Sequence, residues 1–108
     1  MIRNYKVEVH PSLKPDESFC EVIKFILSDA YLELNFVRDV FGNLAIILGD
    51  YQINIGSKND NGIYEQIQID DSTMCKSIAK IRLSDDFNFI NMYVAAYMDY
   101  PIALIQYR

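Results

Sequence analysis

Apolar and polar residues alternate along much of the chain, and the longest such tract is Tyr31–Gly56. Leu32, Leu34 and Phe36 alternate with Glu33, Asn35 and, past Val37, Arg38. Side chains two residues apart share one face of a strand, so this spacing predicts a half-buried strand over 31–39. The pattern breaks at Phe41-Gly42-Asn43 and resumes with five apolar residues, Leu44–Leu48. That run predicts the most buried strand of a sheet, apolar on both faces, and the two runs together predict a central hairpin. Gly49-Asp50 fits either a two-residue turn or a bend in a strand that continues through Tyr51, Ile53 and Ile55.

Four further segments predict strands. Residues 4–10 place Tyr5, Val7 and Val9 opposite Lys6, Glu8 and His10, and Pro11 ends the run. After the turn Ser57–Gly62, residues 63–70 set Ile63, Ile67 and Ile69 against Tyr64, Gln66, Gln68 and Asp70. Residues 77–83 read better as a strand than as a helix begun near Ser72, and residues 102–107 close the chain as a strand. A helix is predicted over 16–29. Phe19, Val22, Ile23, Ile26 and Leu27 recur at helical spacing, and Ser18 with Glu21 has the spacing of a capping box. A start anywhere from Lys14 to Ser18 fits. Residues 86–98 lean to a second helix, begun at Ser84-Asp85-Asp86 and stopped before Pro101, although their Phe, Tyr, Ile and Val content also suits a strand. The fold class expected is α+β: one domain over residues 1–108, an antiparallel sheet of five or six strands with one or two helices packed on it.

Composition changes this picture little. The chain has 108 residues, enough to bury a core without staples. Its longest apolar run, Met92–Met98, is far short of a membrane span, and the first residues lack a secretory apolar segment. A soluble, cytoplasmic protein with no membrane association is expected. Cys20 and Cys75 match no metal-binding spacing and are expected to be small buried hydrophobes rather than a disulfide or metal pair.

Charge is more informative. The net charge is −5, and residues 60–100 hold seven acids against three bases. That local excess argues against nucleic acid, whose phosphates need clustered Lys and Arg, and suits a basic protein partner.

Catalytic chemistry finds little support. His10 is the single histidine, at a strand end beside Pro11 and on the polar side. A histidine pair for a metal is therefore unavailable, and any Ser-His-Asp set would have to be built on this one residue. The four glycines are isolated, so no phosphate-cradling loop can form. The pairs Asp70-Asp71 and Asp85-Asp86 could hold a divalent cation but suit turn and cap roles better. Lys58–Gly62 has a superficial likeness to a calcium loop and lacks its closing Glu at the required distance. No cofactor and no metal are expected.

Partner binding remains. On a helix over 86–98, Phe89, Tyr93 and Tyr97 would form one stripe and Phe87, Ile90, Val94 and Met98 the other. Buried core is the simplest role for such aromatics, and an interface is the alternative. In size, acidity and lack of catalytic motifs the chain resembles the small bacterial immunity proteins that bind and block a toxin domain, often a basic nuclease. The resemblance is one of profile and covers no motif. It implies a non-catalytic antitoxin-type protein acting by occlusion of the toxin's active site, with Glu65, Asp70, Asp71, Asp85, Asp86 and Tyr93 as the partner-binding residues. Two alternatives are a small ligand-binding domain or enzyme with a pocket between sheet and helix, and a structural or regulatory homo-oligomer subunit.

Overall fold

A computed structural model describes residues 1–14, 16, 17, 19–66, 78–94 and 98–108. Its elements in chain order are β1 (Ile2–Val9), α1 (Glu21–Ser28), β2 (Tyr31–Arg38), β3 (Leu44–Leu48), β4 (Tyr51–Gly56), β5 (Tyr64–Gln66), β6 (Ile78–Leu83), β7 (Phe89–Val94) and β8 (Ala103–Tyr107). All eight strands belong to one antiparallel sheet in the order β4-β3-β2-β1-β8-β7-β6-β5. The two outermost strands, β4 and β5, come back into contact, and Lys58 bridges to Tyr64 between them. The sheet is thus curled into a nearly closed barrel, not the five- or six-stranded layer expected from the sequence.

The alternating strands build the inside. Tyr5, Leu34, Phe36, Ile46, Ile53, Leu83, Ile90 and Ile105 point inward and are buried, while their sequence neighbours face out. β3 is apolar throughout, yet it obeys the same rule: Leu44, Ile46 and Leu48 are buried, whereas Ala45 and Ile47 are half-buried on the outer face. The expectation of a strand covered on both faces fails because α1 does not lie on that outer face. Its Ile26 joins Leu32, Leu48, Ile81 and Ile90 around a void of only about 10 Å³. The helix thus packs into the barrel core through Val22, Ile23, Ile26 and Leu27.

Several other expectations are corrected. The helix is eight residues long, not fourteen, and its N-cap is Cys20, which makes no side-chain cap bond. Glu21 pairs with Lys24 at 3.2 Å instead of closing a capping box, and Ser18 lies outside the described residues. The second helix over 86–98 is replaced by a turn and β7. Pairing with β6 and β8 decides this, because Ile90, Met92 and Val94 then enter the core at period two. Tyr64, expected on the outer face, is buried: it lies opposite Leu83, also an inward residue. Gly49-Asp50 forms the tight β3–β4 turn, with Gly49 at φ 58°. The strands expected over 77–83 and 102–107 are present as β6 and β8. Residues 67–70 of the expected 63–70 strand lie outside the described residues.

At the end of the barrel opposite the helix, the β6–β7 turn folds Phe87 back over the opening. Phe87 has φ 63°, a left-handed conformation that a bulky residue rarely adopts. Its ring stacks on Phe36 at 4.8 Å and leans on Tyr64 at 5.7 Å. The Tyr5 hydroxyl, buried inside, donates to the Phe87 carbonyl at 2.6 Å. Burial pushes the Tyr5 pKa up, against the lowering pull of Arg3. Arg3 reinforces the same turn by donating to the Asp86 carbonyl at 3.0 Å and to Asn88 Oδ1 at 3.2 Å, with its guanidinium over the Tyr107 ring.

Removing the Tyr5 hydroxyl leaves the buried Phe87 carbonyl without its donor. Tyr5→Phe should therefore lower stability by about 1–3 kcal/mol in urea unfolding with an unchanged m-value. An unchanged midpoint would mean that the hydroxyl does not hold the turn.

Candidate protein-binding surface

The residues expected to bind a partner fall into separate groups. Glu65 of β5 and Tyr93 of β7 lie on either side of Lys80 of β6, with Glu65 opposite Arg82 in register. Lys80, opposite Tyr93, reaches Glu65 at 3.5 Å and sets its ammonium 4.6 Å from the centre of the Tyr93 ring. Both charged side chains are about four-fifths covered, so Glu65 is neutralised rather than presented as a free acid. Arg82, facing Glu65 on the adjacent strand, is exposed on the same side. This group is a mixed-charge strip with an aromatic, not an acidic patch.

Asp85 and Asp86 sit in the β6–β7 turn and do not begin a helix. Asp86 is committed to that turn. It accepts from Ser84 Oγ at 2.7 Å, from the Asn88 backbone N–H at 2.9 Å and from Asn88 Nδ2 at 3.1 Å. The Ser84 hydroxyl and then the Asn88 N–H hold its carboxyl below the usual carboxylate value. Asp85 is exposed beside it. Asp70 and Asp71 lie outside the described residues. The described structure thus joins Glu65 with Tyr93, and Asp85 with Asp86, as two places on the β5–β7 half of the barrel.

The β2–β3 turn, expected from the sequence as the break in the central hairpin, carries a feature not read there. Val40 and Phe41 are 93% and 85% exposed at its tip. The tip is rigidly built. Asp39 Oδ1 accepts from the backbone N–H of Phe41 at 2.8 Å and of Asn43 at 3.0 Å, while Asp39 Oδ2 accepts from Asn43 Nδ2 at 3.1 Å. Gly42 takes φ 84°, which lets the chain reverse there. The Asn43 bonds, backbone first, hold the Asp39 carboxyl below its usual value. The signal was present in the order Asp-Val-Phe-Gly-Asn: an Asx-type turn enclosing two apolar residues that have no strand face to join.

His10 is less exposed than expected. Its ring stacks on Tyr100 at 4.2 Å, and Nδ1 accepts from the Ser12 N–H at 3.2 Å. Among the described residues no three metal-capable side chains converge. Cys20 is disulfide-bonded, which corrects the expectation of a free buried thiol; Cys75 lies outside the described residues. Among the described residues, no helix is long and apolar enough to cross a membrane.

Both turn carboxylates contribute to stability while ionised. Their folded pKa values lie below the ordinary 3.8, so this contribution is present above that value. It is lost as pH falls through the lowered folded values. Urea midpoints followed downward from about pH 5 should drop, and a double Asp39→Asn, Asp86→Asn chain should drop less steeply. An equal slope in both chains would contradict the assignment. Cys20 in the native protein should resist maleimide labelling until a reductant is added; labelling of the untreated folded chain would contradict the disulfide.

No protein-family model, no curated protein and no solved structure matches this chain.

Proposed function

We propose that this chain is a non-catalytic binding protein of the immunity type, which docks on a basic toxin domain and occludes its active site. The observation that carries the reading is the filled barrel. The void among Ile26, Leu32, Leu48, Ile81 and Ile90 is about 10 Å³, room for roughly one water and for no metabolite, and the cleft of about 530 Å³ between α1 and Tyr51 lies open at the surface. This weighs against a ligand enclosed in the barrel core and directs recognition to the outer surface. The net charge of −5 favours a basic partner and accelerates its approach.

On that surface, Asp85 provides the exposed acid and Tyr93 the aromatic contact, on the β5–β7 half of the barrel. Glu65 and Asp86 contribute by positioning, one through Lys80 and the other through the turn. Asp70 and Asp71 belong to the same acidic stretch of sequence and add to its long-range field.

A toxin-like domain is expected to be encoded beside the gene, and its absence there would count against the reading; the test titrates that domain by calorimetry. Asp85→Lys with Tyr93→Ala should raise Kd about tenfold or more, with most of the charge effect in the association rate. Equal affinity for the native and doubly substituted chains, both folded by circular dichroism, would remove this surface from the proposal.

A further inference from the structure

The connection between β4 and β5 repeats the turn that joins β2 to β3. In the β2–β3 turn the Asp39 N–H donates to the Asn43 carbonyl at 3.0 Å, and the Gly42 N–H to the Asp39 carbonyl at 3.1 Å. In the β4–β5 connection the Asn59 N–H donates to the Ile63 carbonyl at 2.8 Å, and the Gly62 N–H to the Asn59 carbonyl at 3.0 Å. Asn59 Oδ1 accepts from the N–H groups of Asn61 and Ile63, both at 3.0 Å, as Asp39 Oδ1 does from Phe41 and Asn43. Gly62 at φ 76° matches Gly42 at φ 84°. Both are type I turns followed by a left-handed glycine, a common hairpin loop. The difference is chemical. Before its glycine one turn carries Phe41, and the other carries an exposed Asn61. Asn61-Gly62 is the one Asn-Gly pair in the sequence.

We propose that Asn61 is a modification site, at which the side-chain amide converts to aspartate or isoaspartate, and that the closed β4–β5 turn restrains the conversion. Asparagine is among the chemically labile residues, and a following glycine leaves the attacking nitrogen unshielded. The Gly62 nitrogen gives its proton to hydroxide and forms a bond to Asn61 Cγ. The Cγ–Nδ2 bond breaks, and Nδ2 takes a proton from water and leaves as ammonia. Water then opens the five-membered succinimide. Opening at Cγ gives aspartate, and opening at the backbone carbonyl gives isoaspartate, whose main chain is one carbon longer. The folded turn opposes the first step twice. The Gly62 N–H is already donated to the Asn59 carbonyl. Asn61 is also the third residue of a type I turn, where ψ lies about a third of a turn from the value that brings Cγ to the Gly62 nitrogen. The reaction therefore proceeds through local opening of the turn. Its product acts on the seam of the barrel. Beside the turn Lys58 bridges to Tyr64, with its ammonium 5.7 Å from the centre of the buried Tyr64 ring. Isoaspartate at this position carries the Gly62 N–H out of reach of the Asn59 carbonyl and adds a negative charge to a chain of −5. The contact between β4 and β5 is loosened as a result.

This proposal does not rest on toxin binding. The purified chain is incubated at mildly alkaline pH, native or unfolded in urea, and conversion at Asn61 is followed by peptide mass spectrometry with an isoaspartate methyl-transfer assay. The native chain should convert about tenfold more slowly than the unfolded one, or slower still. Asn59→Ala removes the side-chain acceptor and should speed the native reaction about threefold or more, with the rate in urea unchanged. Asn59→Asp, which sets a carboxylate where the β2–β3 turn has one, should keep the restraint. The converted chain, refolded from urea, should unfold at a lower urea midpoint than the unconverted chain. Equal rates in the native and unfolded chains would overturn the proposal. So would an Asn59→Ala chain, folded by circular dichroism, that reacts as slowly as the native one. An unchanged midpoint after conversion would overturn the effect on the seam.

Discussion

The barrel depends on one buried hydrogen bond, from the Tyr5 hydroxyl to the Phe87 carbonyl. It joins the middle of β1 to the turn between β6 and β7, more than eighty residues away in sequence. Phe87 sits at φ 63°, a conformation that costs on the order of 1–3 kcal/mol for a residue of its size. The cost is offset on two sides. Burial of its ring against Phe36 and Tyr64 contributes about 1.5–3 kcal/mol, and the Tyr5 bond satisfies the carbonyl in the interior. Arg3 and the Asp86 carboxylate then hold the turn from outside.

With that end closed by Phe87 and α1 packed into the core, the void among the helix and the described strands is only about 10 Å³. On the outside, the two halves of the barrel differ. The β5–β7 half carries ionised groups arranged across strands, such as Glu65 and Lys80 beside Tyr93. The β2–β4 half carries amides and aliphatic side chains and ends in an apolar tip.

Among the described residues, the acids that stood out in the sequence do not form one patch. Glu65 is paired across the sheet with Lys80, and Asp86 is used to build a turn, so only Asp85 of that described set stays both exposed and uncommitted. Linear counting cannot see this, because a cross-strand neighbour is set by register and not by distance along the chain. The Val40-Phe41 tip shows the reverse case. Its chemistry is local, with Asp39, Gly42 and Asn43 within five residues, and it was legible in principle.

Local sequence by itself determined the strands of the first half, the inward and outward alternation of their side chains, and the apolar stripe of the helix. Those follow from spacings of two or of three to four residues, which each segment carries within itself. Tertiary structure decided the rest. Residues 86–98 had the polar start and alanines of a helix, but Phe89–Val94 pair on both sides with β6 and β8, and that pairing prevails. The outer side of β3 stayed half-open because α1 found its apolar contacts in the barrel core rather than on the sheet's outer face. Tyr64 turned inward because its neighbour in register, Leu83, does so, and because Phe87 needed a ring to lean on. In each case the deciding contact lies many residues away, where no local period can report it.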